Sequence, residues 1–247
     1  MRLAILADIH GNLGALEAVA ADLRRRGADR VVNLGDSLSG PLLPKETAQF
    51  LMARDWVHLA GNHERQVLTL GPDQQGASDR YTRAQLGPAE LDWLASLRPA
   101  QALDGEVFLC HGTPASDQTH FLATVEPGGL RDASPEEVEQ RLGGLAAKLV
   151  ACGHTHLARR VRSARGQLIV NPGSVGLPAY ADDQPYPYRV ENGGPDAQYA
   201  ILEKRSDQWS SQLISVPYGA KAMAQLAGLR NALDWACALR TGYLPRA

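Results

Sequence analysis

The 247-residue sequence predicts an α/β fold built largely on parallel strands. Short apolar runs of strand length alternate with longer amphipathic stretches of helical periodicity, which is the pattern of βαβ units. Six of the apolar runs also end in glycine or polar residues. Such ends are expected where the carboxyl ends of parallel strands border a ligand site. We find no internal repeat and no linker, so we expect one domain over residues 1–247.

The amino-terminal part of the chain follows this alternation closely. The apolar runs of strand length there are residues 2–7, 30–34 and 55–59. Between the first two, Leu13–Arg26 carries apolar residues at helical spacing. We expect Asn12 to cap this helix and Gly27 to end it. Residues 44–54 are predicted as a second helix, so strand, helix and strand repeat as βαβ units.

The rest of the chain mixes helices, strands and two long irregular segments. Residues 65–99 are predicted as mainly helical with breaks, and Pro88 opens one of these helices. Ser134 is expected to cap a later helix. Segments 113–134 and 178–196 are predicted as loops. Residues 217–239 are predicted as mainly helical and are expected to cover a sheet, with a dimer contact as the alternative. The further predicted strands are residues 106–110, 148–152, 167–170, 199–203 and 209–216, the last two antiparallel.

Composition and charge exclude several classes of protein. Hydrophobic residues make up 44% and charged residues 21% of the chain, as in ordinary globular proteins. The formal charge of −2 gives no sign of binding to nucleic acid or to an anionic membrane. No apolar run approaches the roughly 18 residues of a membrane span, and the amino-terminal run is too short for a signal peptide. We therefore expect a cytoplasmic protein in which Cys110 and Cys152 are buried, reduced thiols.

Polar residues follow the predicted strands, and histidine is concentrated there. The motifs are Asp8-x-His10, Gly35-Asp36, Gly61-Asn62-His63-Glu64, His111-Gly112, Gly153-His154-x-His156 and Asn171-Pro-Gly-Ser174. Five of the seven histidines lie in these motifs. His154 and His156 point to the same side of an extended chain, although this pair alone fits either a metal site or a packed strand end. His58 is expected in the core, and His120 could reach the site from the loop after His111.

The chemistry of these side chains predicts a metal centre. Imidazole, carboxylate and amide ligands without cysteine suit borderline divalent ions. The candidate ligands are Asp8, His10, Asp36, Asn62, His111, His154 and His156. This set is too large for one tetrahedral ion but sufficient for two ions if Asp36 bridges them. Two divalent ions with two aspartates and one hydroxide leave a positive site. Such a site attracts phosphate and can clamp both oxygens of a displacement at phosphorus.

The motifs, in this order, resemble those of the calcineurin-like metallophosphoesterase superfamily. The corresponding blocks there are D-x-H, G-D, G-N-H-[ED], a histidine followed by a small residue, and G-H-x-H. The resemblance covers about residues 1–204. The compact length and the Asn171-Pro-Gly-Ser174 block are most similar to the small bacterial phosphodiesterase branch of that superfamily.

This resemblance implies a four-layer α/β/β/α sandwich of two mixed sheets flanked by helices, with two metal ions at the strand ends. It implies that Asp8, His10 and His156 hold one ion, that Asn62, His111 and His154 hold the other, and that Asp36 bridges them. A bridging hydroxide would attack phosphorus in line. His63 would be the catalytic residue that is not a ligand, stabilising the transition state or protonating the leaving oxygen. Mn is the expected metal, with Fe, Ni, Co or Zn as alternatives.

The resulting hypothesis is a metal-dependent phosphoester hydrolase, preferentially a phosphodiesterase, whose substrate includes nucleotide-like esters. The alternatives are a phosphomonoesterase or protein phosphatase, a dinucleoside-polyphosphate hydrolase, and a non-catalytic scaffold that keeps the fold. Because related phosphodiesterases carry cysteine where this chain has His63, monoester activity stays open. A homo-oligomer also stays open. Residues 176–195, rich in tyrosine and proline, are expected to shape the substrate pocket, with an unrelated surface loop as the alternative.

Overall fold

The computed structural model describes residues 1–246. The helices are α1 (Leu13–Arg26), α2 (Pro44–Met52), α3 (Asn62–Thr69), α4 (Ala77–Gln85), α5 (Pro88–Ser96), α6 (Pro135–Leu142), α7 (Ala220–Leu229) and α8 (Leu233–Thr241). The strands are β1 (Arg2–Leu6), β2 (Arg30–Asn33), β3 (Val57–His58), β4 (Ala100–Leu103), β5 (Val107–Cys110), β6 (Ala123–Glu126), β7 (Gly129–Asp132), β8 (Leu149–Ala151), β9 (Arg159–Arg162), β10 (Leu168–Asn171), β11 (Ala179–Asp182), β12 (Tyr188–Glu191), β13 (Ala197–Arg205) and β14 (Gln208–Val216).

The described residues contain two mixed sheets of five strands each, which form the centre of the fold. The first has the order β14-β13-β1-β2-β3, and the second has the order β4-β5-β8-β10-β9. Strands β1, β2 and β3, the last at the edge of its sheet, are parallel, as are the inner strands β5, β8 and β10 of the second sheet. Antiparallel strands complete the remaining edges of both sheets. The predicted parallel βαβ units therefore form the centre of each sheet.

Alternation along the strands builds the four layers. In β1, Leu3 and Ile5 face the core between the two sheets, which also contains Leu109 of β5. Ala4 and Leu6 face the other way, into a core shared with α1, α2 and α5. On the far side of the second sheet, β5, β8 and β10 pack against α6. The α/β/β/α sandwich implied by the resemblance is confirmed.

Several local predictions are confirmed in detail. Helix α1 spans Leu13–Arg26 as predicted, with Asn12 Oδ1 accepting a hydrogen bond from Ala15 N at 3.1 Å. Gly27 ends this helix at a φ of 74°, a left-handed value that glycine adopts without steric cost. Ser134 caps α6 with its side chain. Strands β13 and β14 pair antiparallel.

The two segments predicted as loops contain hairpins. Strands β6 and β7 form a two-stranded sheet within 113–134, and β11 and β12 form another within 178–196. Edge strands β4 and β9 were also missed. Each of these six strands is four residues long and at least half of its positions are not buried, so none carries the apolar run that marks the central strands.

The prediction that residues 217–239 cover a sheet is wrong. This region divides into α7 and α8, which pack on each other and on Leu42. Helix α8 also packs against β11 of the small hairpin. Helix α1 covers the first sheet, so α7 packs on the outer side of α1, whereas α8 lies at the edge of the predicted site.

The predictions for the buried thiols agree with the structure. Cys110 and Cys152 are buried and unbridged within the described residues, and burial raises the pKa of both thiols. No helix among residues 1–246 is long and apolar enough to cross a membrane.

Candidate metal centre

The carboxyl ends of the inner strands of both sheets converge at one edge of the sandwich. Asp8 and His10 follow β1, and Asp36 follows β2. His111 follows β5 directly, while His154 and His156 follow β8. Asn62 is the first residue of α3, after β3. Six of the seven candidate ligands therefore lie in turns that leave strands, and Asn62 begins the helix that follows β3.

Backbone conformation in these turns is unusual. Five of the candidate ligands have left-handed φ values: Asp8 (57°), His10 (53°), Asp36 (52°), His154 (71°) and His156 (57°). Residues other than glycine rarely adopt left-handed φ values, although Asp and His tolerate them better than most. Main-chain hydrogen bonds hold the turns together, from Asp8 N to Gly35 O and from His10 N to Asp36 O, both 3.0 Å.

The first group of candidate ligands is Asp8, His10 and His156. Each offers a ligand atom within 4.8 Å of the others. The Nε2 atoms of the two histidines are 3.1 Å apart, and His156 Nε2 is 3.6 Å from Asp8 Oδ1. Their Nδ1 atoms donate to main-chain oxygens, His10 to Ser39 at 2.6 Å and His156 to Leu177 at 2.7 Å. These bonds fix the tautomer that leaves both Nε2 atoms free to bind a metal.

The second group is Asp36, His111 and His154, with ligand atoms again within 4.8 Å of one another. His111 Nε2 lies 3.1 Å from Asp36 Oδ2 and 3.1 Å from Asn62 Oδ1, so Asn62 joins this group. His111 Nδ1 donates to Leu34 O at 3.0 Å, and His154 Nε2 donates to Gln118 O at 3.0 Å. His111 Nε2 is also 4.0 Å from Asp8 Oδ1, which places the two groups side by side.

The electrostatics of the site fit divalent cations. Burial raises the pKa of Asp8 to about 8, and the neighbouring charge of Asp36 adds to this effect. Burial lowers the pKa of His10 to about 4 and the pKa of His156 well below its usual value. Burial also lowers the pKa of His111, but Asp36 outweighs it and raises this pKa to about 10. A cation would relieve the repulsion between Asp8 and Asp36 and displace the proton from His111.

His63 lies beside the second group but is held by a residue that the sequence did not point to. Its Nδ1 donates to Asp79 Oδ1 at 2.8 Å, and its Nε2 is 4.0 Å from Asp36 Oδ2. Asp79 is buried on α4 and also accepts from Ser39 Oγ at 2.6 Å. Burial lowers the pKa of His63, but Asp36 and Asp79 outweigh it and raise this pKa to about 9. No local motif marks Asp79, since tertiary packing of α4 brings it there.

Two further polar residues hold the turns without reaching the ligand groups. The buried carboxylate of Glu64 accepts from the main-chain N–H groups of Gly61, Asp36 and Ser37 at 2.7–2.8 Å. Ser174 Oγ donates to Asp8 O at 2.8 Å. Both the Gly61-Asn62-His63-Glu64 and the Asn171-Pro-Gly-Ser174 motifs therefore contribute positioning contacts, and the first also contributes the candidate ligand Asn62.

A cavity of about 890 Å³ opens above the two ligand groups. His120 lines it, with its ring 4.8 Å from that of His154, so this histidine does reach the site. Tyr180 and Tyr188 of the β11–β12 hairpin line it too, so residues 176–195 border this cavity, and their role in substrate binding stays a prediction. Trp235 of α8 also lines it and was not predicted there. His58 lies elsewhere, half-buried beside the rings of Trp56 and Trp93 rather than fully in the core as predicted.

The chain is similar to known proteins over most of its length. The model of the calcineurin-like phosphoesterase superfamily domain matches residues 1–190. An uncharacterised protein of Methanocaldococcus jannaschii is 24% identical over 244 residues, covering 89% of this chain and 88% of that protein.

Two solved structures share the fold. A metallophosphoesterase from Sphaerobacter thermophilus superposes with a TM-score of 0.76 at 23% identity, covering 98% of this chain and 100% of the other. A hypothetical protein from Pyrococcus horikoshii superposes with a TM-score of 0.75 at 18% identity, covering 99% of each chain.

Proposed function

The chain belongs to the calcineurin-like phosphoesterase superfamily and is a metal-dependent phosphoester hydrolase, and from this premise we propose that it is a phosphodiesterase with a two-ion centre. The observation that carries the proposal is the pair of adjacent ligand groups, Asp8, His10 and His156 beside Asp36, His111 and His154. Asn62 completes the second group. Asp36 is the carboxylate placed to serve both, since it lies beside His111 and its charge acts on His10.

Divalent ions held by these two groups would supply Lewis acidity and a hydroxide nucleophile at neutral pH. The protein's own residues then position the phosphoester. His63 presents Nε2 toward the cavity, because Asp79 holds its Nδ1. The carboxylates of Asp36 and Asp79 favour the protonated form of this imidazole. We propose that it stabilises charge on the phosphoryl oxygens and donates this proton to the leaving oxygen.

The charges that line the cavity favour a diester. A diester carries one negative charge at neutral pH, whereas a monoester carries nearly two and is usually held by additional basic groups. Arg141 is the single arginine or lysine among the described residues that line the cavity. Its guanidinium is already engaged by the main-chain oxygens of Phe121 and Ala123 and by Thr124 Oγ1. Asp182 and Asp234 also line the cavity and would repel a second negative charge.

Substrate profiling of the purified protein tests this proposal. With Mn supplied, and with Fe, Ni, Co and Zn as parallel arms, we expect kcat/KM for phosphodiesters to exceed that for phosphomonoesters and dinucleoside polyphosphates by about tenfold or more. The Asp36→Asn variant is the matched control for metal-dependent turnover. Preferential cleavage of monoesters or polyphosphates would support the alternative hydrolases. Absence of turnover with every metal and ester would support a non-catalytic scaffold.

A further inference from the structure

We propose that Trp235 and Tyr180 form an aromatic subsite that binds a planar ring in the ester group of the substrate, which makes small nucleotides the substrate class. This inference rests on the proposed phosphodiesterase function, because the subsite adjoins the same two ligand groups. Trp235 belongs to α8, outside the matched residues 1–190, so the subsite is supplied partly by this chain's own carboxyl-terminal region.

Trp235 is held at the rim of the site by close packing. Its ring centroid is 6.0 Å from that of His10, with an interplanar angle of 77°. The ring lies against Gly40, where an added Cβ would be 2.8 Å from it and 2.7 Å from His10 O. Such a Cβ would displace either the indole or the turn that carries His10. Glycine at position 40 therefore permits the indole to approach a candidate metal ligand.

Tyr180 flanks the other histidine of the first ligand group. Its ring centroid is 4.7 Å from that of His156. Tyr180 and Trp235 pack against the same apolar cluster, which includes Leu177 and Ala238. A shared cluster fixes the two aromatic side chains relative to each other. They form one preorganised wall beside His10 and His156, and such a wall binds a ring with little loss of side-chain entropy.

Tyr188 and His120 extend this aromatic surface. The ring of Tyr188 meets that of Tyr180 edge to face at 6.0 Å, and the ring of His120 meets that of Tyr188 at 5.5 Å. The polar side chains of Gln118 and Gln184 also line the cavity, where they could hydrogen-bond to the edge of a base.

Cavity size and charge favour a small nucleotide over a nucleic acid. The volume of about 890 Å³ lies within the range of small-ligand sites. Nucleic-acid sites need a track of basic side chains along the phosphates. Arg141 is the lone arginine or lysine among the described lining residues, and Asp182 and Asp234 lie at the same surface. A single stacked base beside one phosphoester matches these features.

Calorimetric binding to the Mn-loaded protein tests the subsite without turnover. Adenosine 5′-monophosphate and ribose 5-phosphate share the phosphate and the sugar and differ in the base. We expect the nucleotide to bind about tenfold more tightly, as base stacking on aromatic side chains would give. Trp235→Leu should abolish this ratio while leaving the Kd of ribose 5-phosphate unchanged, and Trp235→Phe should keep most of it. Leu233→Ala, at a 63% exposed position on the same helix, is the control and should change neither Kd.

Three outcomes would overturn the subsite. Equal binding of the two phosphates to the wild-type protein would do so whether or not the variants fold. An unchanged ratio in a folded Trp235→Leu variant would do so as well. Tighter binding of an oligothymidylate than of the mononucleotide would assign the surface to nucleic acid instead.

Phenyl phosphate distinguishes a subsite for any planar ring from a subsite for a nucleobase. If phenyl phosphate bound as tightly as the nucleotide, the ring contact would be supported and the assignment to nucleotides would be overturned.

Failure of the subsite and failure of the proposed function are distinguishable. A nucleotide preference without turnover of any phosphoester would retain the subsite and reject the phosphodiesterase. Turnover of diesters with equal binding of the two phosphates would retain the phosphodiesterase and reject the subsite.

Discussion

The floor and the wall of the cavity are built in different ways. The floor consists of the seven candidate ligands with His63, and the wall consists of the β6–β7 hairpin, the β11–β12 hairpin and α8. Floor residues lie in turns tied by main-chain hydrogen bonds, many of them in left-handed conformations. Wall residues such as Tyr180 and Trp235 are held by apolar packing. Under the proposed function, chemistry and selectivity would lie in separable parts, and a change in the floor should affect every substrate alike.

The largest expected effect is that of Asp36→Asn in the floor. The amide cannot replace the charge of a carboxylate that lies beside both ligand groups. We expect loss of bound metal and a fall in kcat of at least about a thousandfold on all esters, with no change in substrate ranking. Plasma mass spectrometry for metal content and steady-state kinetics measure the two quantities.

Two histidine variants serve as controls for Asp36→Asn. We expect His156→Ala to lower occupancy of one ion and His154→Ala that of the other, because these residues belong to different groups. Full occupancy of both ions in either variant would contradict this assignment. A changed ranking of substrates in Asp36→Asn would contradict the separation of floor and wall.

An intermediate effect is expected from the His63–Asp79 pair. His63→Ala should lower kcat about a hundredfold, within the range of general acid catalysis. Asp79→Asn should lower kcat about tenfold with little change in KM, because His63 loses the carboxylate that orients its Nδ1. The double variant should lose no more than His63→Ala alone. Additive losses in the double variant would show that Asp79 acts independently of His63.

The smallest expected effect on chemistry comes from Asn12, which lies outside both the floor and the wall. Its Oδ1 caps α1, while its Nδ2 donates to Gly176 O and to Tyr218 Oη, both at 2.9 Å. Asn12→Ala should lower the free energy of unfolding by about 2 kcal/mol, from the lost cap and the unpaired Gly176 oxygen. Asn12→Ser keeps a cap and should lose about half as much. Urea denaturation measures both, and an equal loss in the two variants would show that the cap contributes nothing.

The floor could be predicted from sequence, whereas of the wall only the segment 176–195 was expected at the pocket. Each floor residue adjoins an apolar run, and the run locates the strand end at which parallel strands converge. His120 was placed near the site only because it follows His111 in a loop. Asp79 and Trp235 reach the site through the packing of α4 and α8, and no local pattern encodes such packing. The hairpins of the wall have short, partly exposed strands, so their periodicity is too weak to detect.

Left-handed backbone at Asp8, His10, Asp36, His154 and His156 also bears on how selective the centre is among ions. The left-handed conformation costs about 1 kcal/mol of conformational free energy at each of these residues. Packing of the sandwich offsets this cost when the chain folds. The coordinating turns thus lose their conformational entropy before any cation arrives. If the two groups hold ions as proposed, the centre would act as a rigid chelator, in which ionic radius and preferred coordination geometry, rather than adaptation of the loops, would decide which metal is retained.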